Sequence, residues 1–315
     1  MKYLGVDSGG TKTAVGLINE ENKLVEKRSL ATDVKGGVAE IAKNAARLID
    51  EIFENQGLTY SDIEYVGVGV PGSVDNDKGL VLYANNLDFL NAPLRDEMAK
   101  YIPLPIYLEN DANCAALGEY FAFKEKEDVD DFFMVTLGTG VGSGSIINGK
   151  LFKGFNNAAP EGGHMNLVPG GRLCTCGNKG CWEMYSSGTG LTMTAREIAE
   201  ENLDSLMWEL AGGKIENIDG RTPFEAASKG DKAAKEVLDK FFYHLGVALV
   251  SVVNLFQPEI ITIGGGVSEQ GDILIDKAQE AINNGSYTKT SRVTRVVKAE
   301  LGNEAGIYGA AFLRR

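Results

Sequence analysis

The sequence predicts an α/β fold built from two similar domains. Two observations lead there. Strand and helix patterns alternate after an opening run of short strands, and the plan of that opening returns in mid-chain. VDSGGTKTAVGLI (6–18) and VTLGTGVGSGSII (135–147) each join an apolar strand to a second strand through a Gly/Thr turn. Two copies of one plan are expected to give two domains facing each other across a cleft.

Taken in order, residues 2–7, 13–18 and 23–30 read as three short strands joined by tight turns. An amphipathic helix over 37–55 follows, with Val38, Ile41, Ala45, Leu48, Ile49 and Ile52 on one stripe. YVGVGV (65–70) has the unbroken apolar run of a buried strand; a helix at 94–101 and a strand at 105–109 come next. Asp111 to Phe123 reads as a helix beginning at a capping residue. The charged stretch KEKEDVDD (124–131) marks the first domain boundary. Beyond it the chain is more helical, with runs near 188–211, 222–229 and 232–257. A strand at 259–266, a helix from about Glu269, a strand near 293–298 and a final helix from about Asn303 close it.

Composition excludes several classes. The 315 residues carry a net charge of −13 with no Lys/Arg cluster, which argues against nucleic acid as a partner. The longest apolar run, His244 to Phe256, is interrupted by Ser251 and Asn254 and is too short to span a bilayer. The N-terminus meets Asp7 after a few apolar residues, unlike a secretory signal. A cytoplasmic enzyme with no membrane partner is the expectation.

Three of the four cysteines and one of the two histidines lie in EGGHMNLVPGGRLCTCGNKGCWE (161–183). A disulfide framework fits poorly with three clustered cysteines in a chain expected to be cytosolic. The spacing C-x-C-x4-C is not the redox pair C-x-x-C. His164, Cys174, Cys176 and Cys181 instead supply four ligands for a closed structural zinc site, with Gly170, Gly171, Gly177 and Gly180 letting the backbone turn around the ion. Cys114 reads as a small core residue. Glu161 and Glu183 flank the ligands, so the clip would hold two carboxylates ready for a hydroxyl-rich molecule.

DSGGTKT (7–13), LGTGVGSG (137–144) and IGGGVS (263–268) are glycine clusters at strand ends. Any one of them could be a turn that needs glycine for positive φ. Three together favour a phosphate cradle of backbone N–H groups. In ENDANCAALGEYF (109–121), Asp111 stands where a strand ends and a helix begins. It reads equally as an N-cap and as a catalytic carboxylate.

Together DSGGTK (7–12), GVPG (69–72), ANNL (84–87), NDAN (110–113), LGTGVGSG (137–144), EGGH (161–164), CTCGNKGCWE (174–183) and GGGVS (264–268) resemble the ROK family of sugar kinases and repressors, of the actin/hexokinase-like superfamily. The resemblance covers nearly the whole chain, and the cysteine motif is its most specific part. It implies two actin-like (ribonuclease H-like) domains around a central cleft. These would be a small domain of 1–123, completed by the C-terminal helix 303–315, and a large domain of 124–302 carrying the zinc loop. It implies an ATP-dependent hexose kinase, glucose favoured, with fructose, mannose, N-acetylglucosamine and N-acetylmannosamine as alternative acceptors and a non-catalytic sugar sensor as the other alternative. Asp111 matches the general base that takes the proton of the sugar 6-hydroxyl. Asn110, Glu161, His164 and Glu183 match sugar-binding positions, with His164 shared between zinc and sugar. Gly9, Gly10, Thr11, Lys12 and Thr139 match the phosphate loops, Gly265 and Gly266 the adenosine motif, and Asp7 a Mg2+ ligand. A homodimer is implied by the same likeness. The chain departs from the family at Ser8, at Ser143, and at Pro160 and Gly162 around Glu161. Family repressors carry an N-terminal helix-turn-helix domain, whereas the first strand here begins at Lys2, so an enzyme is expected.

Overall fold

The computed structural model describes residues 2–288 and 293–315. In chain order the first half holds β1 (Lys2–Ser8), β2 (Lys12–Ile18), β3 (Leu24–Ala31), α1 (Gly37–Gln56), β4 (Ile63–Val70), β5 (Ser73–Asp75), β6 (Leu80–Ala84), β7 (Phe89–Ala92), α2 (Leu94–Ala99), β8 (Ile106–Asn110) and α3 (Asp111–Lys124). The second half holds β9 (Phe132–Leu137), β10 (Val141–Ile147), β11 (Lys150–Leu151), α4 (Glu183–Ser186), α5 (Gly188–Glu201), α6 (Leu206–Leu210), α7 (Thr222–Ser228), α8 (Lys232–Phe256), β12 (Ile260–Gly264), α9 (Asp272–Gly285), β13 (Arg295–Lys298) and α10 (Ala305–Ala311).

The expected repeat is present as topology. One five-stranded sheet has the order β3-β2-β1-β4-β8, the other β11-β10-β9-β12-β13. In the first, β1 and β2 and β2 and β3 pair antiparallel, and β4 and β8 then add in parallel. In the second, β11 pairs antiparallel with β10, while β12 runs parallel to both β9 and β13. The antiparallel strands need only tight turns; the parallel ones need helical crossovers. That is why a glycine turn joins the first two strands of each copy and helices separate the parallel ones.

The chain divides into two compact units, one of Met1–Asp130, Gly144–Pro160 and Glu300–Arg315, the other of Asp131–Ser143 and Glu161–Ala299. In the first unit, β2 is buried at every position after Lys12 because both faces are covered. The apolar stripe of α1, including Ile41, Ala45, Leu48, Ile49 and Ile52, joins Val6, Val15, Val68 and Leu108 in one core. Gly57, in the left-handed region at φ 63°, ends α1 and donates its N–H to the Phe53 carbonyl. α10 packs on β1, β4 and α3. It comes so close that a Cβ at Gly67 would overlap the Ala310 carbonyl, and one at Gly309 the Cys114 carbonyl. The buried Glu119 carboxylate secures the approach to this helix by accepting the N–H groups of Glu300 (2.9 Å) and Leu301 (2.7 Å). In the second unit, Phe133, Val135, Leu191, Phe241, Leu249 and Ile261 centre the core.

Two features depart from the sequence reading. The helical run expected at 188–211 is broken after Glu201, and α6 starts afresh with Ser205 as its N-cap, accepting the Met207 N–H at 3.2 Å. A three-stranded antiparallel sheet, β5-β6-β7, was not expected at all. Among the described residues, no helix is long and apolar enough to cross a membrane.

Candidate active site

In the first unit the turn between β1 and β2 carries Gly9, Gly10, Thr11 and Lys12. Neither glycine adopts positive φ, so the simple hairpin explanation fails here. Gly10 is required for space: a Cβ would come within 2.8 Å of the Asn86 carbonyl oxygen. The turn is braced by Gly9 N–H on the Lys12 carbonyl (2.9 Å) and by the Thr32 hydroxyl on the Gly9 carbonyl (2.7 Å). Thr11 and Lys12 are exposed beside it.

Asp7 lies near the end of β1, and Asp111 is the first residue of α3. The cap of α3 is Asn110, not Asp111: its Oδ1 accepts the Asn113 N–H at 3.0 Å, and its Nδ2 donates to the Gly72 carbonyl at 3.0 Å. Asp111 is thereby released from capping, and its Oδ1 accepts only the adjacent Ala112 N–H, at 2.8 Å. Burial pushes the Asp111 carboxyl above the usual carboxylate range. Asp7 is raised to about 6, by burial first and by the Asp111 charge second, with Lys12 pulling the other way. Two half-buried, mutually repelling carboxylates at the ends of strands β1 and β8 of one sheet suit a cation and a proton acceptor.

Glu109 escaped the sequence reading. It is buried in β8, paired with Lys153 at 2.5 Å, and its Oε1 accepts the Asn110 N–H (2.9 Å) and the Asn113 amide (3.1 Å). It fixes the start of α3 from beneath. A glutamate amid the apolar run IYLEN was the available signal.

In the second unit, the His164, Cys174, Cys176 and Cys181 donors lie within 4.8 Å of one another. The Cys176 and Cys181 sulfurs are 3.6 Å apart, and Cys174 Sγ is 3.7 Å from His164 Nδ1. A tetrahedral zinc with sulfur bonds of about 2.3 Å would separate two sulfurs by about 3.8 Å. The donors therefore fit the ion. Burial and the neighbouring sulfurs push the Cys181 thiol up to about 12, a cost of crowding that a dication would relieve. Gly170, Gly177 and Gly180 all have positive φ, so the turns they make are ones L-residues rarely adopt. Gly171 serves by closeness instead, since a Cβ would overlap the Tyr185 hydroxyl.

Glu183 opens α4, and its Oε2 accepts the Val141 N–H at 2.9 Å. The carboxylate fits there because Gly140 has no Cβ to displace it. Glu161 is exposed, just before the turn that carries His164. Thr139 is exposed between β9 and β10. Gly265 (φ 84°) leads into a turn at Gly266 and sits against the Leu137 backbone. A cleft of about 610 Å³ opens beside Thr139 and Gly266, lined by Gly138, Thr189, Thr192, Arg196 and Asp219 as well. Thr189, Thr192, Arg196 and Asp219 had no motif to announce them. They converge from α5 and from the segment before α7.

The comparisons with known proteins agree with one another. The model of the ROK family matches residues 3–315. The chain is 36% identical over 312 residues to the glucokinase of Thermotoga maritima, covering 99% of this chain and 96% of that one. It is 34% identical to the glucokinase of Halalkalibacterium halodurans, covering 99% and 94%. Its structure resembles that of a ROK family glucokinase from Streptomyces griseus in complex with glucose and AMPPNP, with a TM-score of 0.81, 35% identity, and 99% of each chain covered.

Proposed function

Because the chain belongs to the ROK family, we propose that it is an ATP-dependent hexose kinase with glucose as preferred acceptor. The observation that carries this reading is Asp111, a half-buried carboxylate with raised proton affinity, freed from helix capping by Asn110. Phosphoryl transfer asks a protein for an aligned acceptor, a proton acceptor and charge stabilisation. As the sugar 6-oxygen attacks the γ-phosphorus, its proton passes to Asp111. The new O–P bond forms while the bond from the γ-phosphorus to the bridging oxygen of ADP breaks.

Asp7 would hold Mg2+, and the fit is electrostatic: its buried charge and that of Asp111 repel, with Lys12 as the offsetting cation. When bound, that ion neutralises charge on the transferring phosphates. Gly9, Gly10, Thr11 and Lys12 are assigned to the phosphates, as is Thr139; Gly265 and Gly266 are assigned to the adenosine. For the sugar, Asn110 has one amide hydrogen and one lone pair left after its two bonds, and Glu183 offers Oε1, whose partner is the Cys174 thiol at 3.8 Å, a proton that zinc would displace. Glu161 completes the carboxylate pair. His164 would give Nδ1 to zinc and turn its other nitrogen to a hydroxyl. The proposal includes a cytoplasmic location, where three thiols in one loop stay reduced and able to hold a metal.

The test is ADP release by purified protein with Mg-ATP across glucose, mannose, fructose, N-acetylglucosamine and N-acetylmannosamine. Glucose should give the highest kcat/KM, and Asp111→Asn should lower kcat by about 10²–10⁴-fold. A different preferred sugar overturns the choice of glucose, and no turnover with any of them overturns the kinase reading.

A further inference from the structure

Within the second unit, one side chain bridges the metal loop and the wall of the cleft. Arg172 stands two positions before Cys174. Its backbone N–H donates to the Tyr185 hydroxyl at 2.8 Å, and its guanidinium lies over the Tyr185 ring, 5.1 Å from the centroid. One terminal nitrogen donates to the Met184 carbonyl (2.9 Å) and the Gly190 carbonyl (3.2 Å). The other donates to the Thr194 hydroxyl (3.0 Å) and to Glu197 (2.5 Å). The Arg172 side chain is only 16% exposed, whereas Glu197 is 60% exposed, so the contacts to α4 and the start of α5 carry more than the ion pair does.

The same first turns of α4 and α5 hold the turn between β9 and β10. The Gly188 N–H donates to the Gly138 carbonyl at 2.8 Å, and the Thr189 hydroxyl to the Thr139 carbonyl at 2.8 Å. Glu183 takes the Val141 N–H on the other side. Gly138, Thr139 and Thr189 line the cleft. A continuous run of hydrogen bonds therefore leads from the segment that the four donors close, through Arg172, to the backbone assigned to phosphate.

We infer that Arg172 is a positioning residue that couples metal occupancy of the His164, Cys174, Cys176 and Cys181 site to nucleotide binding in the cleft. The metal anchors 172–181, the anchored guanidinium fixes α4 against α5, and α5 fixes Gly138 and Thr139. A planar five-donor fork can reach both helices at once, which a lysine could not. The coupling is reciprocal: nucleotide must retain the metal by the factor with which the metal favours nucleotide. The inference rests on the assignment of the cleft to ATP.

The experiment measures the Kd of AMPPNP by calorimetry, without sugar, for zinc-loaded wild type, Arg172→Met and Thr194→Val. Zinc transfer to a chromogenic chelator is followed in parallel, with and without AMPPNP. Arg172→Met should bind AMPPNP about tenfold more weakly and release zinc faster. Thr194→Val, which leaves the metal loop untouched, should show a smaller loss, and AMPPNP should slow zinc release from wild type. Wild type that binds AMPPNP, together with variants of unchanged Kd or zinc release indifferent to AMPPNP, overturns the coupling and leaves the ATP assignment standing. Wild type that does not bind AMPPNP overturns both. Should Arg172→Met fail to fold, Thr194→Val and the wild-type release rates decide.

Discussion

At the scale of single residues, the charges at the end of β1 and the start of α3 dictate the pH response. Burial and the Asp111 charge raise Asp7 from the ordinary 3.8 to about 6 in the fold, so the folded state holds this proton more tightly than the unfolded chain. Its contribution to stability is full below about pH 4 and is lost as pH rises through about 6. Activity is expected to run the other way, since protonating Asp7 removes the charge proposed to hold the metal. We expect kcat/KM to fall as pH drops through about 6, while the metal-free protein melts higher at pH 5 than at pH 7.5. Asp7→Asn should shrink that melting difference in calorimetry. Asp111→Asn should lower kcat by about 10²–10⁴-fold with glucose affinity retained, measured by ADP release and calorimetry. Gly140→Ala separates site from scaffold. The new Cβ would press on the Glu183 carboxylate, the free end of a side chain, so glucose KM should rise with little change in Tm. At this scale the sequence displayed Asp111 clearly but not its release from capping. Asparagine and aspartate cap equally well, and which of the two neighbours takes the Asn113 N–H is settled only in the folded chain.

At the scale of elements, the metal loop and the glycine-lined seat of α10 make opposite demands. The loop is short on core, so if the proposed zinc is bound its order is expected to depend on the ion. Metal analysis should find about one zinc per chain, and a chelator should expose the three loop thiols to a thiol reagent; Cys176→Ser should expose the remaining two without chelator. The seat depends on backbone proximity. Gly309→Ala would drive a methyl into the Cys114 carbonyl and should cost about 1–3 kcal/mol or more, read from denaturant melts. The elements with strong local signals were legible: the hairpin turns, the stripe of α1, the Cys/His spacing. The sheet β5-β6-β7 was not, because strands of 3, 5 and 4 residues are too short to show alternation, and asparagines at 85, 86 and 91 read as turns. The break before α6 hid for a similar reason, as one serine cap interrupts an otherwise helical composition. The cleft-lining residues from α5 and the segment before α7 carry no spacing rule. They become neighbours only through the tertiary path of the chain.

At the scale of the molecule, duplication explains much of the economy of the fold. One order of five strands, used twice, supplies two glycine turns at equivalent places. The copies differ in how they are finished. The second gains its metal loop and long helices from residues near at hand, whereas the first waits for a helix encoded some 300 positions after its first strand, seated against β1, β4 and α3. Chains cut before Ala305 should lose amide protection throughout β1, β2 and β4 while the core around Phe241 and Leu249 keeps its own, as hydrogen exchange would report. On the ribosome this removes the usual N-terminal-first advantage. The opening strands emerge first yet stay unfinished through most of translation, and the second copy, whose sheet ends with β13, is complete in sequence shortly before them. The glycine-lined channel left vacant for α10 is then the stretch that holdase chaperones would have most time to occupy.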